Sequence, residues 1–277
     1  MKRNIKKRVF VVGCPRSGTT LLQSLLAAHP SIASFPESHF LPKIVARGSK
    51  RRQRFGIVAP QAKENYTQVL NDVGAKDCEH NKPRFGLFVR EYILSFVETL
   101  DDLTEAQNRT VWLEKTPRHL HYINNLEKAV PDIAFIHIIR KGSDVVASLF
   151  EVTHKYPEVW GGPRDVERCI SRWIQDVELS RQYLGKPNHT FVSYEKLVER
   201  PKLNVKQLCD FLNVPYLESM LEDYKNVSKK VLSPGEQWKE SVQQPIYAAK
   251  SRKFDHLFSP EQQNYISTRV EQVGEFL

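Results

Sequence analysis

The segment that most constrains this chain runs from Arg8 to Leu26. Arg8-Val-Phe-Val-Val is a short apolar run that breaks into Gly13-Cys-Pro-Arg16-Ser17-Gly18, and Thr19-Thr20-Leu21-Leu22 then opens a stretch in which Leu25 and Leu26 recur at helical spacing. The first part reads as a buried strand and the last as a helix, so the loop brings backbone N–H groups to a helix N-terminus, where an anion is favoured. Gly13 and Gly18 stand at the spacing of a Walker loop, yet Thr19 follows Gly18 where a nucleoside triphosphatase has its lysine. The positive charge lies inside the loop instead, as Arg16. Without the Lys-Ser/Thr pair, the side chains that grip terminal phosphates and magnesium are missing, and the expected ligand is not ATP.

Four segments extend this reading. Pro15-Arg16-Ser17-Gly18-Thr19-Thr20 resembles the 5′-phosphosulfate loop of sulfotransferases that use 3′-phosphoadenosine 5′-phosphosulfate (PAPS). Phe135-Ile-His-Ile-Ile-Arg140-Lys-Gly142-Ser143-Asp144-Val-Val-Ala-Ser148 is similar to that family's 3′-phosphate segment. Trp112-Leu-Glu114-Lys115-Thr116-Pro117-Arg-His119 and Val192-Ser193-Tyr194-Glu195-Lys-Leu197-Val-Glu-Arg-Pro201 also resemble family segments, with a looser echo at Gly235-Glu-Gln-Trp238-Lys239. The resemblance spans the N-terminal region to about residue 215 and is closest to the tyrosylprotein and bacterial carbohydrate enzymes. It implies a three-layer α/β fold, a central mostly parallel sheet with helices on both faces. It also implies transfer of a sulfuryl group from PAPS to a hydroxyl or amine acceptor, with PAP as the product and no metal. The acceptor stays open among carbohydrate, peptide tyrosine, lipid and small metabolite hydroxyls.

The balance of 41 Lys+Arg against 32 Asp+Glu gives a formal charge of +9, which suits polyanionic ligands without choosing among nucleotides, membrane surfaces and nucleic acid. Two other classes are therefore weighed, a metal-dependent nucleotide kinase and a basic nucleic-acid-binding protein. The missing Walker lysine counts against the first. The basic run Arg47 to Arg54 lacks interleaved aromatics and matches no reading motif, which counts against the second. Cys14, Cys78, Cys169 and Cys209 show no CxxC or His pairing, so neither a zinc site nor a disulfide framework is expected. The basic N-terminus leads into an apolar run too short for a signal peptide or membrane span, which makes a cytoplasmic enzyme the expectation.

Strands are expected at Arg8–Val12, Ile133–Ile139 and Thr190–Ser193, each followed by a turn and a helical pattern. One domain is expected over residues 1–277, with a helical insertion or lid at about 43–100. Thr153 to Pro163 reads as an irregular loop, because proline and glycine interrupt it while Tyr156 and Trp160 offer apolar faces. Pro201 to Leu212 reads as a helix ended by Asn213-Val-Pro215.

In-line sulfuryl transfer needs a held donor, an activated acceptor and a stabilised leaving phosphate, so positioning and electrostatics dominate. Arg16, the amides of Ser17, Gly18, Thr19 and Thr20, and the two threonine hydroxyls suit the 5′-phosphosulfate. Arg140 closes a core strand at the edge where open α/β sheets bind ligands, and its planar fork suits a phosphate; pairing with Asp144 is the competing reading. The resemblance implies Arg140 and Ser148 for the 3′-phosphate, Glu37 as general base and Lys115 beside the bridging oxygen. It also implies Trp173 and Tyr194 along the nucleoside and Lys239 in a C-terminal closing segment. Capping of a helix after Pro36 is the competing reading for Glu37, and His39 and His119 are rival bases.

Overall fold

The computed structural model describes residues 4–46, 48–75, 82–231, 246 and 253–273. Five strands, β1 (Lys7–Gly13), β2 (Ile32–Phe35), β3 (Val111–Lys115), β4 (Ile133–Ile139) and β5 (His189–Ser193), form a sheet that is parallel throughout, in the order β2-β3-β1-β4-β5. Strand β1 alternates Val9 and Val11 toward one apolar cluster with Phe10 and Val12 toward another, and all four are fully buried. Burial on both faces is what a parallel sheet covered by crossover helices demands.

The helices in chain order are α1 (Thr19–Ala27), α2 (Phe40–Ile44), α3 (Lys50–Arg54), α4 (Ala62–Asp72), α5 (Val89–Ala106), a 3-10 helix (Pro117–Tyr122), α6 (Ile123–Ala129) and α7 (Gly142–Lys155). After these come α8 (Pro157–Trp160), α9 (Val166–Arg181), α10 (Tyr194–Glu199), α11 (Pro201–Leu212), α12 (Ser219–Val231), α13 (Lys253–Leu257) and α14 (Pro260–Glu271). Helices α1, α11 and α12 cover the Val9–Val11 face, whereas α2, α4, α5 and α6 cover the Phe10–Val12 face. Among the described residues, no helix is long and apolar enough to cross a membrane.

From β1 the chain passes to β2 at the sheet edge, returns to β3 beside β1, and then crosses to β4 and β5 on the other side. Topology therefore reverses beside β1, and the crevice outside the C-terminal ends of β1 and β4 is where such sheets bind ligands. The three strands read from the sequence are β1, β4 and β5. Strand β2 is only four residues long, and β3 ends in Glu114-Lys115, charged residues that break an apolar reading although both are buried. The stretch expected as a helical insertion holds α2 to α5, joined by bridges between Val45 and Val58 and between Ile57 and Phe88. The irregular reading of Thr153–Pro163 needs correction: α7 continues to Lys155, and Pro157 opens the short α8. Proline is well tolerated at the first position of a helix, where its missing N–H has no intrahelical acceptor.

One carboxylate fastens the inserted helix to the sheet. Asp101 of α5, 1% exposed, accepts from Arg8 Nε and Nη2 (3.0 and 2.8 Å) and from Trp112 Nε1 (2.8 Å). Asp101→Ala would leave a guanidinium partly unpaired and an indole N–H buried without an acceptor, so urea denaturation should show a loss of about 2–4 kcal/mol. A change near zero would show that α5 is held by its apolar face alone.

Candidate active site

The loop after β1 is shaped by backbone conformations that few residues adopt. Arg16 and Gly18 both take left-handed φ, 75° and 95°, a curvature in which successive amide N–H groups can form a concave anion-binding surface. A Cβ at Gly13 would lie 2.6 Å from the Ile138 carbonyl oxygen, and one at Gly18 would lie 2.3 Å from the Tyr194 ring. Glycine is required at both places because β4 and Tyr194 come so close. No side chain caps α1, and Thr19 and Thr20 occupy its first turn, so their amides have no intrahelical acceptor.

Arg16, Arg140, Ser148 and Tyr194 meet around this loop. Arg16 Nε donates to Ser148 Oγ of α7 at 3.0 Å, and the Arg140 guanidinium lies 4.3 Å above the centre of the Tyr194 ring. Arg140 Nη2 reaches Asp144 at 3.2 Å, the pairing weighed from the sequence, while Arg140 Nε is buried without a partner, as is Ser17 Oγ. Burial lowers the Arg16 pKa and the nearby Arg140 charge adds to that, with Glu151 and Glu37 opposing. Two guanidinium groups held together out of water favour an anion between them. These orphaned donors and crowded cations fit the phosphates of a nucleotide such as PAPS.

A second cluster forms at the adjoining strand ends. Gln23 of α1 donates from Nε2 to Ser34 Oγ (3.0 Å) and to the Phe35 carbonyl (2.9 Å), which fixes the end of β2 just before Pro36-Glu37. The Glu37 carboxylate accepts from Lys115 Nζ, and Lys115 is 1% exposed and 3.5 Å from Thr20 Oγ1. The other Glu37 oxygen lies 3.5 Å from His39 Nε2. Helix α2 starts at Phe40 without any side-chain cap; Glu37 is committed to Lys115 and not to a helix terminus.

Beneath this pair lies a residue that sequence reasoning did not single out for the site. Glu114 has no exposed surface, and it accepts from Ser38 N–H (3.2 Å), Ser38 Oγ (2.8 Å), Thr116 Oγ1 (2.6 Å) and His119 Nδ1 (2.9 Å). Burial pushes its pKa up, but His119 and the hydrogen bonds from His119, Thr116 and Ser38 outweigh this and hold it below 4.5. Ser38 follows Glu37 and Lys115 follows Glu114, so one carboxylate sets the backbone beside both members of the ion pair. His119 Nε2 accepts from the Leu41 amide at 3.3 Å, which fixes the proton on Nδ1 and leaves neither ring nitrogen for an acceptor. Both ring nitrogens of His119, one of the two rival bases, are thus engaged within the protein. His39, exposed and beside Glu37, has its pKa lowered by burial of its ring against the opposing pull of Glu37.

Trp173 does not offer a face to a nucleoside. It is 6% exposed, packed against Gly142, and its Nε1 donates to the Arg140 carbonyl at 3.1 Å. A large ring in the apolar cluster of α7, α9 and α14 reaches the site only by holding the backbone of Arg140. Lys239, Trp238 and Cys78 lie outside the described residues. Among the described residues no group of three His, Cys, Asp or Glu side chains is placed to hold a metal ion, and Cys14, Cys169 and Cys209 are free thiols.

A family model described as the Sulfotransferase family matches residues 8–218. A putative protein-tyrosine sulfotransferase of Caenorhabditis briggsae is 24% identical over 233 residues, 83% of this chain and 74% of that protein. Protein-tyrosine sulfotransferase A of Caenorhabditis elegans is 24% identical over 243 residues, 86% of this chain but 58% of the relative's length. The sulfotransferase domain of the Synechococcus PCC 7002 olefin synthase superposes with a TM-score of 0.60 at 20% identity, covering 99% of this chain and 97% of the domain. A mouse sulfotransferase complexed with PAP superposes with a TM-score of 0.57 at 12% identity, over 96% of this chain and 84% of that one. These superpositions show a common fold.

The Glu114 hub generates a prediction with a definite sign. A carboxyl whose folded pKa lies below its unfolded value contributes stability above the unfolded value and loses it as pH falls through the folded one. Stability of the native chain should therefore fall more steeply than that of Glu114→Gln as pH drops below 4.5, the ordinary glutamate value. At neutral pH the variant should be about 1–3 kcal/mol less stable, since an amide turns a donor toward Ser38, Thr116 or His119. Parallel acid limbs in urea melts of the two proteins would refute the hub.

Proposed function

The chain belongs to the sulfotransferase family, and from that premise we propose that it moves a sulfuryl group from PAPS to an acceptor hydroxyl, with Glu37 as general base. The observation that carries this reading is the convergence of the Glu37 carboxylate, the Lys115 ammonium and the Thr20 hydroxyl beside the anion-binding loop. Its metal-dependent kinase and nucleic-acid alternatives are not favoured by that family membership.

Bound PAPS supplies an activated sulfuryl group, and this chain's residues do the rest. The loop amides, Ser17, Thr19, Thr20 and Arg16 hold the 5′ end. Arg140, with its buried free Nε, and the Arg16–Ser148 pair form the corner suited to the 3′-phosphate. Tyr194 holds Arg140 in place through its ring face. Glu37, kept ionised by Lys115, accepts the acceptor's hydroxyl proton as that oxygen attacks sulfur. Its protonation releases Lys115 to meet the negative charge that grows on the departing phosphate oxygen, an electrostatic role suited to a dry, preorganised ammonium. Lys239 completes the nucleotide site in this proposal, carried by the family resemblance alone.

Two measurements test it. Calorimetry should show metal-free binding of PAP and none of magnesium-ATP; Arg140→Ala should weaken PAP by about 1.5–3 kcal/mol while scarcely changing adenosine 5′-phosphate. Tight magnesium-ATP binding without a response to PAP would overturn the donor assignment. Glu37→Gln should lower the single-turnover rate about a hundredfold or more with PAP affinity nearly unchanged. A near-normal rate in that variant, with a collapsed rate for His39→Asn, would move the base to the histidine.

A further inference from the structure

The inserted segment carries an apolar edge that neither the fold nor the reaction accounts for. Phe55, Phe85, Leu87 and Phe88 are 60%, 69%, 57% and 47% exposed, and they make up four of the nine exposed large hydrophobics among the described residues. Backbone pairing gathers them into one ribbon: Val58 N–H donates to the Leu87 carbonyl (3.1 Å), Val89 N–H to the Gly56 carbonyl (2.8 Å), and Ile57 bridges Phe88. Leu87 and Phe88 are consecutive in an extended segment, so their side chains leave opposite faces, yet both are exposed. The outer edge of the ribbon therefore projects as an apolar wedge, while Val58 and Val89 on its inner side are buried in the core.

Cations surround the wedge. Lys50, Arg51 and Arg54 of α3, with Arg84 and Arg90 flanking the ribbon, are all exposed. Arg52 is spent inward, donating to the Val58 carbonyl at 2.9 Å, and ties α3 to the ribbon. Glu91 turns its carboxylate onto the Leu87 and Phe88 amides at 3.1 and 3.2 Å, bracing the wedge. The opposite side of the strip, through Gly56, Ile57 and Val89, lines a cavity of about 380 Å³ whose far wall holds Arg118, His121 and Arg172.

We propose that this ribbon docks the enzyme on an anionic lipid surface, with Phe55, Phe85, Leu87 and Phe88 entering the acyl boundary and the flanking Lys and Arg side chains meeting headgroup phosphates. Exposed aromatic and aliphatic tips ringed by basic residues have the two properties that interfacial binding needs, buried apolar area and attraction to anionic headgroups. A second copy of the chain would set like charges against like. A nucleic acid would satisfy the cations but would leave the exposed Leu87 side chain without an apolar partner. The inference is independent of the reaction proposed above, because its readout is binding to vesicles.

The test is cosedimentation of the full chain with vesicles of phosphatidylcholine alone and of phosphatidylcholine mixed equally with phosphatidylserine. Binding is expected to the anionic vesicles only, and to weaken as salt is added. Arg51→Gln with Arg54→Gln should weaken it about thirtyfold, and Phe85→Ser with Leu87→Ser by about tenfold or more. All four positions are exposed, so thermal melts should be unchanged. Phe85→Trp should report insertion directly, as a blue shift of emission on adding anionic vesicles. Absence of binding at low salt would overturn the proposal, as would binding that ignores the Phe85 and Leu87 changes and gives no blue shift. A dimer dissolved by Phe85→Ser, or preference for a single-stranded oligonucleotide over the vesicles, would likewise assign the ribbon elsewhere.

Discussion

A carboxylate sealed from water must find its donors within the protein, and Glu114 finds four of them in two separate stretches of chain, at Ser38 and at Thr116 to His119. An unpaired charge at that depth would cost several kcal/mol. Loss of any one donor is therefore felt by the others, and the strand end, the residues after β2 and the 3-10 helix are held in one arrangement. Glu37 and Lys115 inherit their positions from it, each being the chain neighbour of a residue in the network. Acid–base chemistry depends on placement to a fraction of an ångström, and in the proposed reaction that placement would come from a residue that need never touch a substrate.

The same economy governs the anion-binding side. Gly18, the Tyr194 ring and the Arg140 guanidinium lie in succession, and Arg16 closes the circuit through Ser148. Segments more than a hundred residues apart in sequence therefore form one electrostatic unit, in which two like charges are tolerated because the backbone around them is fixed. The unit lies at the reversal of strand order beside β1, the place where open α/β sheets bind ligands.

Much of this was legible in the chain because function interrupts pattern. Arg16 stands inside a small-residue loop and Arg140 at the end of Phe-Ile-His-Ile-Ile, and both breaks fall at the C-terminal edge of the parallel sheet, where open α/β sheets bind ligands. Glu114 was quoted in a family segment but given no role, because a carboxylate in a short run next to lysine reads as a surface pair; only its tertiary partners reveal a buried hub. Strands β2 and β3 were missed for the same reason, one being too short and the other ending in charges whose partners are remote. The family resemblance implies Trp173 as a nucleoside face, while its environment, Gly142 and the Arg140 carbonyl, makes it part of the core.

The fastening of α5 by Asp101 has a mechanical side. Twelve residues of helix separate Asp101 from Val89, where the exposed ribbon joins, a rigid arm of about 18 Å at the helical rise. Tilting that arm by about 5° at its pivot would carry the ribbon end by about 1.5 Å, by the same helix geometry. Val89 and Ile57 line the cavity that faces Arg118 and Arg172. A tilt of that end would therefore change the width of the cavity, and the Asp101 fastening to Arg8 and Trp112 of the sheet resists it.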